Sequence, residues 1–430
     1  MIRPTRTAPL AVVLASTFAL VSATGLAPAL EAQDTPTASP EIHAEVRTIF
    51  EHPGVRQAFR YLEETDDVTM ADLRELTQIP APPFMEEERG RRFAERLTEI
   101  GVDSVWTDEE GNVIGLRRGR GAGTIVISGH LDTVFPEGTD VTIRQRGDTL
   151  YAPGIADDTR GLVTVLAILR AMNAAEIETE MDVWFVGTVG EEGLGDLRGM
   201  KHLFREGGPQ IDAFISVDGL GREGITNAGL GSYRYRVTFR GPGGHSWGAF
   251  GLANPMHALG RAIARFDADA KAFTDGADRR TSYNVGRMGG GTSVNSIPFE
   301  AWIEVDMRSE SPTALDGIDA VFRLRPSGEI ARDDAFVQRA VAATTLTGGT
   351  PRLGRSSTDS NIPIALGVPS ITIGGGGAGG AAHSLGEYYI NRNGPAGIQR
   401  AMLILLAQAG PSPVMECSGR SFAGSRWRRF

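Results

Sequence analysis

Residues 124–132 read Thr124-Ile125-Val126-Ile127-Ser128-Gly129-His130-Leu131-Asp132. A short continuous apolar run of this kind is what a strand buried on both faces looks like, and this one leads straight into a glycine, a histidine and an acid. The pattern recurs. Val183-Trp184-Phe185-Val186 leads to Gly190-Glu191-Glu192, Phe214-Ile215-Ser216-Val217 to Asp218-Gly219, and Ile371-Thr372-Ile373 to a glycine-rich loop and His383. Helical spacing of apolar residues lies between, as in Leu162 to Met172. Alternating strands and helices predict an α/β domain, whose ligands bind beyond the carboxyl ends of the strands. Four strands are therefore expected to deliver acids and imidazoles to one edge.

The middle of the chain has a different rhythm. Tyr233, Tyr235, Val237 and Phe239 alternate with polar residues, and a second alternation runs from Ala301 to Arg308. Such stretches are half-exposed antiparallel strands. Helical patterns at about 255–266 and 314–323 complete an inserted β-α-β-β-α unit over 229–328. The expected last strand of that unit is missing or compressed into Leu324 to Gly328. The α/β domain thus occupies 41–228 and 329–409. Residues 410–430 read as a disordered tail.

Residues 1–32 read as an export signal: Arg3 and Arg6, an apolar run from Ala8 to Leu20, then Ala27-Pro28-Ala29 or Ala32 as a cleavage site. The alternative is an uncleaved anchor. The protein is therefore expected in the periplasm or outside the cell, with residues 33–40 as a spacer. A net charge of −10 over 430 residues argues against a nucleic-acid partner. Cys417 is the single cysteine, which excludes a disulfide framework and cysteine-rich zinc sites. Any metal must be held by His, Asp and Glu.

Two-metal hydrolysis needs imidazole and oxygen ligands, one bridging carboxylate and a free carboxylate to accept a proton from water. His130 and Asp132 are two apart at a strand end, so their side chains point the same way. His130 can bind metal while Asp132 fixes its other ring nitrogen. Asp157 and Asp158 sit just before a helix. Glu191 and Glu192 are adjacent, so one can face a metal and the other the substrate water, and Asp218 and His383 complete the shell. Each piece alone has an ordinary reading: a turn, a helix cap, a solvated pair. Their occurrence in order, mostly behind buried strands, is what carries the argument.

The series GHLDTV, GIADD, GEEG, VDG and AHSLGE resembles the dinuclear-zinc exopeptidase and deacylase family, which includes peptidase T, glutamate carboxypeptidase, aminoacylase and succinyl-diaminopimelate desuccinylase. The resemblance spans roughly residues 45–410. It implies a zinc-exopeptidase-like α/β catalytic domain with an inserted α+β, ferredoxin-like lid that often forms a homodimer. It implies two divalent cations, zinc first with cobalt or manganese also suited, one held by His130 and Asp218, the other by Glu192 and His383, with Asp157 bridging. Glu191 is then the general base and Asp132 orients His130. The turn Arg240-Gly241-Pro242-Gly243-Gly244-His245 resembles a lid turn whose histidine stabilises the oxyanion, often in the partner subunit. Asn295 and Arg308 resemble lid groups that grip substrate, and Asp359 lies at a further motif near the substrate pocket. Thr159-Arg160-Gly161 departs from the Lys-Gly-Gly of many members.

Gly244-His245-Ser246-Trp247-Gly248 fits a serine-hydrolase elbow, with Asp359 and His383 in triad order. That reading leaves His130, Asp157, Glu191 and Glu192 without a task, and the preceding strand has a wet face. Gly374 to Gly380 lacks the lysine of a phosphate loop. A non-catalytic binding protein on the same fold would lack the base or a ligand, and this chain retains all six. The expected activity is cleavage of a peptide or amide bond in a short peptide or N-acyl amino acid. Asp218, rather than Glu, at the third ligand position leans by resemblance towards an aminopeptidase or di- or tripeptidase, with a carboxypeptidase or deacylase as the alternative.

Overall fold

The computed structural model describes residues 35–410 except 278, 312, 316–323 and 326–327. The expected export signal, the tail beyond Gly410 and most of the helix expected over 314–323 lie outside the described residues.

Among the described residues, four helices precede the first strand: α1 (Pro40–Glu51), α2 (Pro53–Glu64), α3 (Asp66–Thr77) and α4 (Glu87–Ile100). The first two begin on proline, whose missing N–H costs nothing in a first turn. Ser39 Oγ caps α1 from Ile42 at 3.3 Å, and His52 Nδ1 caps α2 from Gly54 at 3.1 Å. There follow β1 (Ser104–Thr107), β2 (Val113–Arg117), β3 (Thr124–His130), β4 (Arg144–Arg146), β5 (Thr149–Tyr151), α5 (Thr159–Ala174), β6 (Asp182–Thr188), α6 (Arg198–Leu203), β7 (Ala213–Val217) and β8 (Gly224–Gly229). Next come β9 (Gly231–Arg240), β10 (Gly244–His245), α7 (Pro255–Asp275), β11 (Thr281–Gly290), β12 (Ser296–Ile297), β13 (Glu300–Ser309) and β14 (Leu324–Arg325). The chain closes with β15 (Gly328–Glu329), α8 (Ala335–Leu346), β16 (Arg352–Ser356), α9 (Asn361–Ala365), β17 (Ser370–Ile373), β18 (Ala378–Gly380), β19 (Tyr388–Ile390) and α10 (Gly394–Ala409).

The main sheet has the order β1-β2-β6-β3-β7-β17-β8-β15, with β16 paired to β8. Its centre, β6-β3-β7-β17, is parallel. Ile125 and Ile127 enter one core beside α5 and α10, while Val126 enters a second core with Val186, Phe214 and Met200. Each such buried side chain contributes about 1.5–3 kcal/mol relative to exposure, so runs apolar on every residue settle into strands covered on both faces. Register sets His130 beside Thr188, and Val217 beside Ile373. The four parallel strands therefore finish level, and the loops that leave them share one edge.

The inserted segment forms its own sheet, in the order β11-β13-β9-β14. Tyr233, Ile303, Val305 and Met307 face Leu259 of α7, while Arg234, Glu304, Asp306 and Arg308, one residue out of phase, line the opposite face. The helix expected over 255–266 continues to Asp275. The doubtful last strand exists in compressed form: Leu324 and Arg325 pair with Tyr233 and Ser232. Gly328 then pairs with Gly229 of the main sheet, so the chain re-enters the main sheet immediately.

Candidate functional site

His130 closes β3 at 2% exposure. Its Nε2 faces Asp157 Oδ1 at 3.0 Å. His383 Nε2 faces the other oxygen, Asp157 Oδ2, at 3.1 Å, and Glu192 Oε1 at the same 3.1 Å. One carboxylate therefore lies between two imidazoles, an oxygen turned to each. Ligand atoms of His130, Asp157 and Asp218 lie within 4.8 Å of one another, and so do those of Asp157, Glu192 and His383. The two sets share Asp157. Glu191 joins His130 and Glu192 in a third group of the same compactness.

Burial pushes the Asp218 carboxyl up to about 7, and the neighbouring charge of Asp157 adds to the effect. Asp157 is held well below the usual range: burial opposes its charge, but the bonds to His130 and His383 outweigh that. Those bonds, from Asp157 and then Glu192, carry His383 up to about 10. Three carboxylates and two imidazoles thus converge where a divalent cation would supply positive charge. Imidazole and carboxylate donors of this kind suit zinc, cobalt or manganese. The side chains form two adjoining groups able to hold a cation, each with one imidazole and one carboxylate of its own and with Asp157 common to both.

Asp132 is fully buried and serves the glutamates more directly than the histidine. Its Oδ1 accepts from the N–H of Glu191 at 3.1 Å and its Oδ2 from that of Glu192 at 2.8 Å. His130 Nδ1 lies 3.0 Å from the Asp132 backbone carbonyl and 3.6 Å from its carboxylate, so the main chain takes the larger part in orienting the ring. The turn before the glutamates requires Gly190, with φ at +71°, where a Cβ would meet the Arg198 stem at 2.7 Å.

The acid pair at 157–158 divides its tasks. Asp157 faces the histidines, whereas Asp158 caps α5, accepting from Gly161 N–H at 3.0 Å and from His130 N–H at 2.9 Å. A Cβ on Gly161 would sit 2.2 Å from the Val217 carbonyl, so α5 can start against β7 only with glycine there. The departure at Arg160 has a structural use. Its buried guanidinium donates to the carbonyls of Gly375 at 2.8 Å and Gly394 at 3.0 Å, tying α5 to the glycine-rich loop.

Of the remaining expected residues, Asp359 lies beside the ligand set, and His245, Asn295 and Arg308 belong to the lid. Asp359 is 1% exposed, accepts from the Thr188 hydroxyl at the end of β6, and lies near enough to Asp218 for its charge to help raise that carboxyl. His245 and Asn295 lie together in the lid, where β10 pairs with β12 and Ser246 N–H donates to the Asn295 carbonyl at 2.9 Å. The His245 ring is engaged locally, Nδ1 accepting from Trp247 and Gly248 at 3.3 Å each. Ser246 follows a two-residue exposed strand, not a buried central one, so the nucleophile-elbow context is absent there. Arg308 donates to Asp306 at 2.8 Å.

Two residues escaped the sequence reading. Arg234 donates to Asp306 Oδ1 at 2.8 Å and to the Gly193 carbonyl at 3.0 Å, linking lid to catalytic loop. Alternation assigned it only to a wet strand face. Glu387, four residues past His383 within the AHSLGE motif, is fully buried and accepts N–H groups from the Asp157 loop. The signal was present as an acid close behind a ligand histidine.

A family model described as Peptidase family M20/M25/M40 matches residues 126–407. A protein of Pyrococcus abyssi named for hydrolysis of LysW-lysine and LysW-ornithine is 28% identical, over 73% of this chain and 87% of its own. Succinyl-diaminopimelate desuccinylase of Methylibium petroleiphilum is also 28% identical, over 46% of this chain and 55% of its own. Among solved structures, the yeast di-peptidase Dug1p has a TM-score of 0.65 at 16% identity, over 83% of this chain and 98% of that one. Aminopeptidase PepT of Bacillus cereus has a TM-score of 0.59 at 21% identity, over 80% and 98%. These last two are likenesses of fold.

Proposed function

The chain belongs to peptidase family M20/M25/M40, and from that premise we propose that it is an exopeptidase of short peptides working through two divalent cations, zinc foremost. At the coarser level it is a metal-dependent hydrolase of peptide or amide bonds. One observation carries the finer reading: the Asp157 carboxylate lies between His130 and His383, with an oxygen towards each. His130 and Asp218 would hold one cation and Glu192 and His383 the other, with Asp157 common to both groups.

Cations bound there polarise the scissile carbonyl and acidify water. The chain's own groups do the rest. Glu191 accepts the proton of the attacking water and returns it to the leaving amine. Asp132 holds the backbone of both glutamates, so the base and the ligand beside it are placed together. His245 Nδ1 accepts from local N–H groups, which leaves Nε2 as the nitrogen that would donate to a substrate oxyanion, at a partner subunit's site if the lid dimerises. Asn295 and Arg308 contribute from the lid to substrate binding, and Asp359 from its place near Asp218.

Asp218 at the third ligand position favours an aminopeptidase or di- or tripeptidase. A second reading, carboxypeptidase or N-acyl-amino-acid deacylase, is favoured by the half-exposed Arg308 guanidinium, which suits a substrate carboxylate, and by the desuccinylase relative. Protein stripped by chelator and reloaded with zinc, cobalt or manganese, then assayed on free tripeptides, N-blocked peptides and N-acyl amino acids, decides between them. Cleavage of free peptides is expected, and preference for N-blocked substrates would move the assignment to the second reading. Activity that survives chelation but is lost in Ser246→Ala would overturn the metal mechanism. Export through residues 1–32 and dimerisation through the lid are part of the same proposal, tested by N-terminal sequencing of exported protein and by light scattering.

A further inference from the structure

The loop from Pro153 to Asp157 lies between β5 and α5 and is buried at Gly154, Ile155 and Ala156. It belongs to no strand ladder, so its N–H groups need another acceptor, because an unpaired buried N–H is costly. Glu387 supplies it. Oε2 accepts from Gly154 at 3.1 Å, and Oε1 accepts from Ala156 at 2.8 Å and from Asp157 itself at 3.0 Å. Three donors thus converge on one fully buried side chain, and the last belongs to the residue whose carboxylate faces both histidines.

Glu387 is also part of the loop that carries His383, between β18 and β19. That loop is tethered to the Asp157 loop a second time, since β19 pairs with β5, Tyr388 opposite Tyr151. The ligand histidine and the acceptor of the Asp157 loop therefore move as one piece. From this arrangement we infer that Glu387 is a positioning residue for cation binding: it sets the Asp157 backbone, and hence the carboxylate, relative to His383. The two cation positions are coupled through it, because a shift of the His383 loop displaces Asp157 as well.

This inference rests on the two-cation reading. Its chemistry separates two substitutions of similar size. Gln would place an NH2 group against a backbone N–H on one of the two oxygen sides, so one side loses its acceptor. Asp keeps both acceptor oxygens and only withdraws them. The test is calorimetric titration of zinc into chelator-stripped wild-type, Glu387→Gln and Glu387→Asp proteins, with thermal unfolding of each stripped protein alongside. Glu387→Gln is expected to lower zinc affinity about 10- to 100-fold, the range seen when a residue behind a ligand is altered. Glu387→Asp is expected to recover part of that loss, and both stripped variants should remain folded and unfold cooperatively, with a modestly lower midpoint for Glu387→Gln because one side of the buried N–H cluster loses its acceptor. Wild-type zinc affinity in Glu387→Gln overturns the role, and so does a loss matched by equal unfolding of the stripped variant with no recovery in Glu387→Asp. A wild type that takes up no second cation overturns the two-cation reading and this role with it.

Discussion

The guanidinium of Arg234, on the lid strand β9, donates to the main-chain carbonyl of Gly193, the residue after Glu191 and Glu192. Asp306, directly across the lid sheet from Arg234, receives its Nε and that of Arg308. The lid is thereby fastened to the segment that carries the base. A hydrogen bond to a charged group is worth about 1.5–3 kcal/mol. Arg234→Met should therefore lower kcat/KM about 10- to 100-fold, with cation content unchanged. Steady-state kinetics with metal analysis checks this, and Arg234→Lys should fall between, since an ammonium lacks the planar fork that spans two acceptors.

Glu191 and Glu192 are neighbours with different tasks, so their substitutions should separate. Glu191→Gln is expected to keep its cations while losing turnover by about 10²–10⁴-fold, the usual scale of general acid–base catalysis. Glu192→Gln should lose cation as well as activity. Metal analysis of both purified variants is the measurement, and near-normal turnover in Glu191→Gln would remove it as the base.

Asp132→Asn substitutes one oxygen by an NH2 group that cannot accept the N–H of Glu191 or Glu192. At about 1.5–3 kcal/mol for a hydrogen bond to a charged acceptor, the variant should show a lower unfolding midpoint and a marked fall in kcat. A variant with wild-type kcat would separate Asp132 from the placement of the glutamates.

Cation binding should stabilise the fold as well as activate it. A ligand at 100 times its Kd contributes about 2.7 kcal/mol, so Tm should rise with added zinc and drop on chelation. His130→Ala, which removes an imidazole from the buried end of the site, should flatten that response in differential scanning calorimetry.

The lid ion trio predicts a pH dependence with a definite sign. Burial tends to raise the Asp306 carboxyl, but Arg308 and Arg234 outweigh it and hold the group below its usual range. A carboxylate depressed in the folded state stabilises it above the ordinary value of about 3.9, and that contribution is lost as the pH falls through the folded-state pKa. The Tm difference between wild type and Asp306→Asn should be full at pH 6 and shrink below pH 4.

The buried strands and the acids behind them were legible because both signals are local. Ile125 to Ile127 are apolar on every residue, and Asp218 follows Val217 directly, so a short window carries strand and ligand together. The lid strands were legible for a related reason, since Tyr233, Tyr235 and Val237 alternate with arginines. Glu387 and Arg234 were not, because the groups each of them serves lie far away in sequence, and an acid behind a histidine or an arginine on a wet strand does not name its partner. Glu387 acts on residues 154–157, more than two hundred positions earlier, and Arg234 acts on Gly193 across the lid boundary.

Sequence alone determined which segments become central strands and which side chains leave their ends, because burial and strand period act between near neighbours. Tertiary structure decided the rest: which of Asp157 and Asp158 faces the histidines and which caps a helix, that the Asp132 carboxylate serves the glutamates' backbone, and that Asp359 is buried against Thr188 near Asp218. Those outcomes depend on which N–H groups lack a partner once distant loops have packed, a condition that exists only when the chain is folded.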